Sequence, residues 1–150
     1  MRESILFAVL AGMAWGVGGY FEKAGLRALG IAPIAGIALR TAVALLLLGA
    51  LSLPAWKQIQ RPENTAAWIQ IIVFGGIVAG SLGMWSFYRA LATTQNLGVT
   101  LALAFAMSPV AGTLVGLWRK TQSMDGRTAL GMLAIVGGIV LLQLAQRPSR

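Results

Sequence analysis

The residues that could do chemistry in this sequence are few, and the most conspicuous is Arg40. It is the only charged residue in the apolar stretch from Ile31 to Leu53, which is long enough to cross a bilayer. A guanidinium at mid-membrane costs roughly 2.5–3.5 kcal/mol on insertion scales, so such residues usually face a protein interior, with a partner or a substrate. Because arginine stays protonated at physiological pH, neutralisation does not remove this cost.

Glu22 is the candidate partner of Arg40, because it follows the apolar run that begins at Ile5. At 1.5 Å per residue, Arg40 lies about 13 Å into its helix, on the side of the membrane where the first helix ends. Side chains lean toward the N-terminus of their own helix, so in antiparallel neighbours Arg40 and Glu22 lean toward each other. Three roles stay open for Arg40: a structural ion pair, a contact to an anionic or carboxylate-bearing substrate, and a dimer contact.

Glu22 itself has two interpretations. It is the candidate carrier if a proton crosses the membrane along this protein, and it is otherwise an interface charge paired with Lys23 or Arg27. The other carboxylates fall in tails or loops, namely Glu3, Glu63 and Asp125.

Two tryptophans and a serine are further candidates for lining a substrate cavity. Trp15 and Trp85 lie away from helix ends, and a mid-span indole seeks a partner for its N–H; the alternative is packing against glycine faces. Their aromatic faces also suit a cationic solute, which competes with the anionic interpretation of Arg40. Ser108 offers a polar atom at mid-depth, next to Pro109, which is expected to kink the fourth helix.

Catalysis finds no support in the residue types. The sequence has no histidine and no cysteine, and no two carboxylates share an apolar segment in a catalytic pairing. A Gly-rich loop between a strand and a helix is also missing. We therefore expect a protein that is not an enzyme and that holds neither a metal nor a cofactor.

The composition indicates a membrane protein. Of the 150 residues, 57% are hydrophobic and 11% are charged, against about 25% charged in a typical soluble domain. The net charge is +8, but the basic residues punctuate apolar segments rather than clustering on one element. This distribution suits anionic lipid headgroups and argues against a nucleic-acid partner.

The apolar segments predict an all-α integral membrane protein, with residues 1–150 forming one domain of five transmembrane helices. Glu22–Lys23 is expected to close the first helix, and Pro54 the second. Three GxxxG pairs permit close helix–helix approach: Gly12 and Gly16, Gly76 and Gly80, and Gly112 and Gly116. The helices are predicted at about 5–22, 31–53, 67–89, 97–118 and 129–145.

The basic residues give little orientation signal. With a cytoplasmic N-terminus, six lie inside and five outside, and Arg40 is the twelfth. The positive-inside rule needs an asymmetry, so the count is compatible with insertion in both directions and with an inverted pair of copies. The alternative is a fixed topology with the N-terminus inside.

Five stretches, in order, resemble the EamA domain of the drug/metabolite transporter superfamily. AVLAGMAWGVGGYFEKAGL is similar to the opening helix and GIALRTAVALLLL to the second, while the later three helices correspond to FGGIVAGSLGMWSFYRAL, LALAFAMSPVAGTLVGLW and ALGMLAIVGGIVLLQ. The resemblance covers nearly the whole chain. One departure is that the family's Glu after the fourth helix falls at Gln122, so any contact which that Glu makes is altered here.

The resemblance implies one five-helix half of a ten-helix transporter, located in a bacterial or archaeal cytoplasmic membrane. Such a protein is expected to move a small metabolite or drug-like solute by alternating access, as a homodimer in parallel or inverted arrangement. Inverted repeats commonly bind substrate near the midplane, between the halves. Two alternatives remain: a half-transporter that pairs with a second five-helix protein, and a non-transporting scaffold or assembly subunit.

Overall fold

The computed structural model of the chain describes residues 2–59 and 65–144. Within these ranges the backbone is helical almost throughout and contains no strand, and five stretches are long and apolar enough to cross a membrane. The all-α class and the five spans predicted from the sequence are therefore confirmed. Four of the charged residues considered in the sequence analysis lie outside the described residues, namely Arg61, Glu63, Arg147 and Arg150.

The described chain falls into two compact units, Met1–Thr93 and Thr94–Arg150. The first unit begins with α1 (Arg2–Leu29) and α2 (Pro33–Ser52), and a 3-10 turn over Leu53–Ala55 joins α2 to α3 (Trp56–Ile59). Its third span contains α4 (Thr65–Ile69), a π-helix (Gln70–Gly83) and α5 (Met84–Thr93). The second unit contains α6 (Leu97–Trp118) and α7 (Gly126–Leu144).

The first helix is longer than predicted. The expectation that Glu22–Lys23 would close it is wrong, because α1 continues to Leu29 and ends at Gly30, where the φ of 61° suits a residue without a side chain. Most residues after Lys23 are good helix formers, and Leu26 gains a buried position by staying helical. Glu22 therefore lies inside the helix, seven residues before Leu29.

The third span differs from the single α-helix that the sequence predicted. Its middle is π-helical from Gln70 to Gly83, and Ser81 Oγ donates to the Gly76 carbonyl, five residues back, at 3.2 Å. Glycine suits position 80, because a β-carbon there would lie 3.1 Å from the Gly75 carbonyl oxygen. Gly76 and Gly80 therefore lie in a π-helix, whose hydrogen bonds join residues five apart, and not in the α-helix that the sequence predicted.

Three helices of the first unit meet around Tyr88. This side chain of α5 is buried together with Leu26 of α1 and Ile37 of α2. Gly36 permits the approach, since a β-carbon there would lie 2.7 Å from Leu26 Cδ2 and 3.1 Å from Tyr88 Cε1. Most other large apolar side chains of the spans are exposed, as expected for surfaces that lipid or another chain covers.

Both helices of the second unit begin with a side-chain cap. Asn96 Oδ1 accepts a hydrogen bond from the Val99 amide at 3.3 Å, and Asp125 Oδ1 accepts one from the Thr128 amide at 2.9 Å. Each cap satisfies an amide that has no partner within its helix. These caps explain why α6 starts where the sequence predicted and why α7 starts three residues before the predicted position 129.

The end of α6 is a Schellman motif. The Lys120 amide donates to the Leu117 carbonyl at 3.0 Å, and the Thr121 amide donates to the Gly116 carbonyl at 2.9 Å. Lys120 adopts a φ of 55° to close the motif, a conformation in which a β-carbon meets the following carbonyl oxygen. Glycine is the residue that usually occupies this position, so Lys120 introduces local backbone strain.

Replacing Lys120 with glycine is expected to raise the free energy of unfolding by about 1 kcal/mol, because glycine adopts a positive φ without the steric penalty. Chemical unfolding of the purified protein in detergent measures the change. Arg119→Gly is the matched control, since Arg119 has a φ of −80° and its backbone needs no glycine. An equal gain in both variants would show that the backbone conformation at position 120 is not the cause.

Candidate functional site

The structure brings Glu22 and Arg40 together. Arg40 Nε lies 2.8 Å from Glu22 Oε1, which makes an ion pair with hydrogen-bonding distance. Glu22 lies seven residues before the end of α1, and Arg40 lies seven residues after Pro33, which begins α2. Because the two helices run antiparallel from a short connection, equal distances from it place the two side chains at the same depth.

A second contact of Arg40 is made with α5. Arg40 Nη1 lies 3.2 Å from the thioether sulfur of Met84, which is only a weak acceptor. The guanidinium thus forms one ion pair, with Glu22, and one weak hydrogen bond, with Met84. Its side chain is 37% exposed, whereas that of Glu22 is 21% exposed, so Arg40 is the more accessible half of the pair.

Tyr88 lies beside Glu22 and Arg40, and it is not among the candidate residues predicted from the sequence. The side chain is 1% exposed, and its hydroxyl hydrogen-bonds to Glu22 and lies in the field of Arg40. A signal was available, because Met84, Tyr88 and Leu91 follow the spacing of one helical face. All three side chains are at least partly buried in the structure, so this face of α5 points inward.

The two mid-span tryptophans have different surroundings. Trp15 lies seven residues before Glu22 on α1, so it shares a helical face with Glu22, and it is 55% exposed. Trp85 follows Met84 directly and is turned about 100° from it around α5. The Arg89 guanidinium carbon lies 5.1 Å from the Trp85 ring centroid, a cation–π geometry. A substrate contact stays a prediction for both residues.

Ser108 and Pro109 lie in the second unit, on α6. The helix continues through Pro109 from Leu97 to Trp118, and Ser108 is exposed. A contact between Ser108 and a substrate, and a kink at Pro109, therefore stay predictions.

A role of the GxxxG glycines in helix packing stays a prediction, and few atoms of the described chain lie close to them. A β-carbon added at four of them would meet no atom within 4 Å, namely at Gly12, Gly16, Gly76 and Gly112. Gly116 is covered by the side chain of Gln122, whose Cδ would lie 2.7 Å from such a β-carbon. The close helix contact occurs instead at Gly36, one turn before Arg40, which the sequence reasoning did not select.

Gln122 occupies the position where the family's Glu is expected. The side chain of Gln122 folds back onto Gly116, and the backbone amide of Gln122 donates to the Gly116 carbonyl at 3.2 Å. The side chain therefore helps to close the end of α6. Among the described residues, no group of three or more His, Cys, Asp or Glu side chains could hold a metal ion.

Comparison with known proteins identifies one family. A family model described as the EamA-like transporter family matches residues 2–144. The search of curated proteins and the search of solved structures each found no significant match. The matched range covers almost the whole chain and confirms the resemblance that the five sequence motifs indicated.

Proposed function

The chain belongs to the EamA-like transporter family and is a multi-pass membrane protein, and from this premise we propose that it is a permease for a small metabolite or drug-like solute. The observation that carries the proposal is the partly exposed ion pair between Glu22 and Arg40, placed inside two membrane spans. Charged side chains in a span are costly and mark substrate or ion pathways. An accessible pair of this kind suits a binding site better than a purely structural contact.

Arg40 is the proposed contact to the solute. Its planar guanidinium has five N–H donors, of which the described contacts use one at Nε and one at Nη1. A solute carboxylate can accept two parallel hydrogen bonds from such a group. We propose that it approaches Arg40 from the exposed side and competes with Glu22. In a proton-driven cycle, Glu22 is the group proposed to take up the proton when it leaves Arg40.

A second chain is proposed to cover the site. The pair is partly exposed in the single chain, and so are most apolar side chains of the spans. A charged pair open to lipid tails would be unfavourable, so a protein surface over it is expected. We propose a dimer, with two copies in parallel or inverted arrangement or with a similar five-helix partner, which works by alternating access in a bacterial or archaeal cytoplasmic membrane. The near-even distribution of basic residues favours the inverted pair.

The test begins by finding a solute. A thermal-shift screen of the purified protein against carboxylates, amino acids and quaternary ammonium compounds identifies a stabilising compound, and uptake of that compound into proteoliposomes is then measured. Arg40→Lys keeps the charge but loses the bidentate geometry. Uptake is expected to fall about tenfold or more, the effect of losing one charge-assisted hydrogen bond.

Arg89→Lys is the matched control, because Arg89 is also an arginine of a span, and lysine keeps its cation–π contact with Trp85. Its uptake is expected to stay close to that of the unchanged protein. Normal uptake by Arg40→Lys would exclude the proposed contact. A protein that binds none of the compounds, moves none of them and copurifies with a larger complex would support the scaffold function instead.

A further inference from the structure

We propose that the connection between α6 and α7 is a binding site for the phosphate headgroup of an anionic phospholipid. The site consists of Trp118, Arg119, Lys120 and Arg127, and the name headgroup site is used for these four residues below. They lie at the ends of two spans, Leu97–Trp118 and Gly126–Leu144. Because the ends of spans lie at the level of the lipid headgroups, these side chains are placed where lipid phosphates are concentrated.

The charge balance of this connection favours an anion. Arg119, Lys120 and Arg127 carry three positive charges and Asp125 one negative charge, so residues 118–128 have a net charge of +2. No ion pair joins these cations to a carboxylate of the described chain. Asp125 instead accepts a hydrogen bond from Thr128, which lowers the pKa of its carboxyl group. The one local carboxylate is thus committed to capping α7, and the three cations keep their charge for an external partner.

Two carbonyl groups near the end of α6 that would repel a phosphate are already hydrogen-bonded. Carbonyl oxygens at a helix C-terminus usually lack partners and carry negative partial charge. Here the Gly116 carbonyl accepts from the Thr121 amide, and the Leu117 carbonyl accepts from the Lys120 amide. The basic residues Arg119 and Lys120 follow these two hydrogen-bonded carbonyls closely in the chain.

Trp118 supplies the contact expected at the headgroup level. It is the last residue of α6, and its side chain is 82% exposed. Exposed tryptophans are enriched at membrane–water interfaces, where the ring lies against acyl chains and the N–H reaches polar groups. The adjacent cations are then held within reach of the same lipids.

The other short connections of the described chain do not share this composition. Residues 30–32, between α1 and α2, and residues 94–96, between α5 and α6, contain no charged residue. Of the three connections that the structure describes completely, the one between α6 and α7 is therefore the most basic. Attraction to anionic lipid is accordingly expected to be strongest here.

Reconstitution in nanodiscs tests the headgroup site. The protein is placed in phosphatidylcholine alone and in phosphatidylcholine with phosphatidylglycerol, and the midpoint of thermal unfolding is measured together with lipids retained in native mass spectrometry. Phosphatidylglycerol is expected to raise the midpoint and to be retained preferentially. Inorganic phosphate added to phosphatidylcholine discs is expected to give no rise, and an equal rise would show that free phosphate, not lipid, is the ligand.

Arg119→Gln is expected to remove at least half of the rise and of the retained phosphatidylglycerol, while Arg119→Lys keeps most of both. Lys57→Gln is the matched control, because Lys57 also follows an exposed tryptophan, Trp56, near the end of a span. It is expected to keep both effects. Equal losses in Arg119→Gln and Lys57→Gln, or no loss in either, would overturn the proposal, since the attraction would then be a general property of the membrane surface. Unchanged helix content in phosphatidylcholine discs shows that each variant is folded.

Discussion

Replacing Glu22 with glutamine is expected to lower the free energy of unfolding by about 2 kcal/mol. The substitution removes the negative charge beside the Arg40 guanidinium inside a span, and the weakly accepting sulfur of Met84 at Nη1 does not replace that charge. Breaking a fully buried pair by removing one partner costs about 3–5 kcal/mol. The expected value is smaller here because the Arg40 and Glu22 side chains are 37% and 21% exposed.

A double-mutant cycle separates the pair from other effects of each substitution. Glu22→Gln, Arg40→Gln and the double variant are unfolded in mixed detergent micelles, and their free energies are compared. Because the two groups are in direct contact, a coupling energy of about 1–3 kcal/mol is expected. The double variant should be no less stable than the weaker single variant, since it leaves no charge without a partner.

Arg89→Gln is the control for this cycle. It removes a guanidinium from α5 that stacks on Trp85 rather than on a carboxylate, and it is expected to cost about 0.5–1 kcal/mol. Its effect should add to that of Glu22→Gln. Simple additivity between Glu22→Gln and Arg40→Gln would show that the ion pair does not contribute to stability.

The pairing of Glu22 with Arg40 could be found from the sequence because it depends on few variables. A short connection makes α1 and α2 antiparallel neighbours, and the number of residues from that connection sets the depth of each charge. Charged residues are rare in the spans, so few alternative partners exist. The first helix ends at Leu29 and not, as predicted, at Glu22–Lys23. The predicted pairing does not depend on this difference, because Glu22 and Arg40 still lie in the halves of their helices that are nearer the connection between α1 and α2.

The spacing of Met84, Tyr88 and Leu91 predicts that these residues share one face of α5, but it does not predict that this face points inward. The direction of that face depends on the π-helix before α5, because its hydrogen bonds join residues five apart and its turn is wider than that of an α-helix. A pattern read with α-helical periodicity through that segment assigns the later residues to the wrong face. The π-helix itself has no established sequence signal, and it determines how Tyr88 reaches Glu22.

The remaining candidates show a limit that is specific to membrane spans. Each span is apolar around most of its circumference, so periodicity does not separate a face toward lipid from a face toward protein. Trp15, Trp85 and Ser108 are predicted from their residue types alone. The structure adds a neighbour for Trp85, which is Arg89, and this contact depends on the four-residue spacing that an α-helix provides.

Replacing Gly36 with valine is expected to lower the free energy of unfolding by about 1–3 kcal/mol, the usual cost of overfilling a packed contact. Even a single β-carbon there would lie 2.7 Å from Leu26 Cδ2 and 3.1 Å from Tyr88 Cε1. Leu26 can rotate away only by losing its buried position, and the Tyr88 ring has little freedom at 1% exposure. The helices must therefore separate at the point where they hold the ion pair.

Gly49→Val is the matched control on the same helix, since a β-carbon at Gly49 would meet no atom within 4 Å. It is expected to be neutral or slightly stabilising, because valine has a somewhat higher helix propensity than glycine. Gly36→Val should also reduce uptake, because Gly36 lies one turn before Arg40 and its displacement moves the guanidinium away from Glu22. If Gly36→Val and Gly49→Val unfold at the same detergent concentration, the close contact of α1, α2 and α5 at Gly36 is not what holds Arg40 against Glu22.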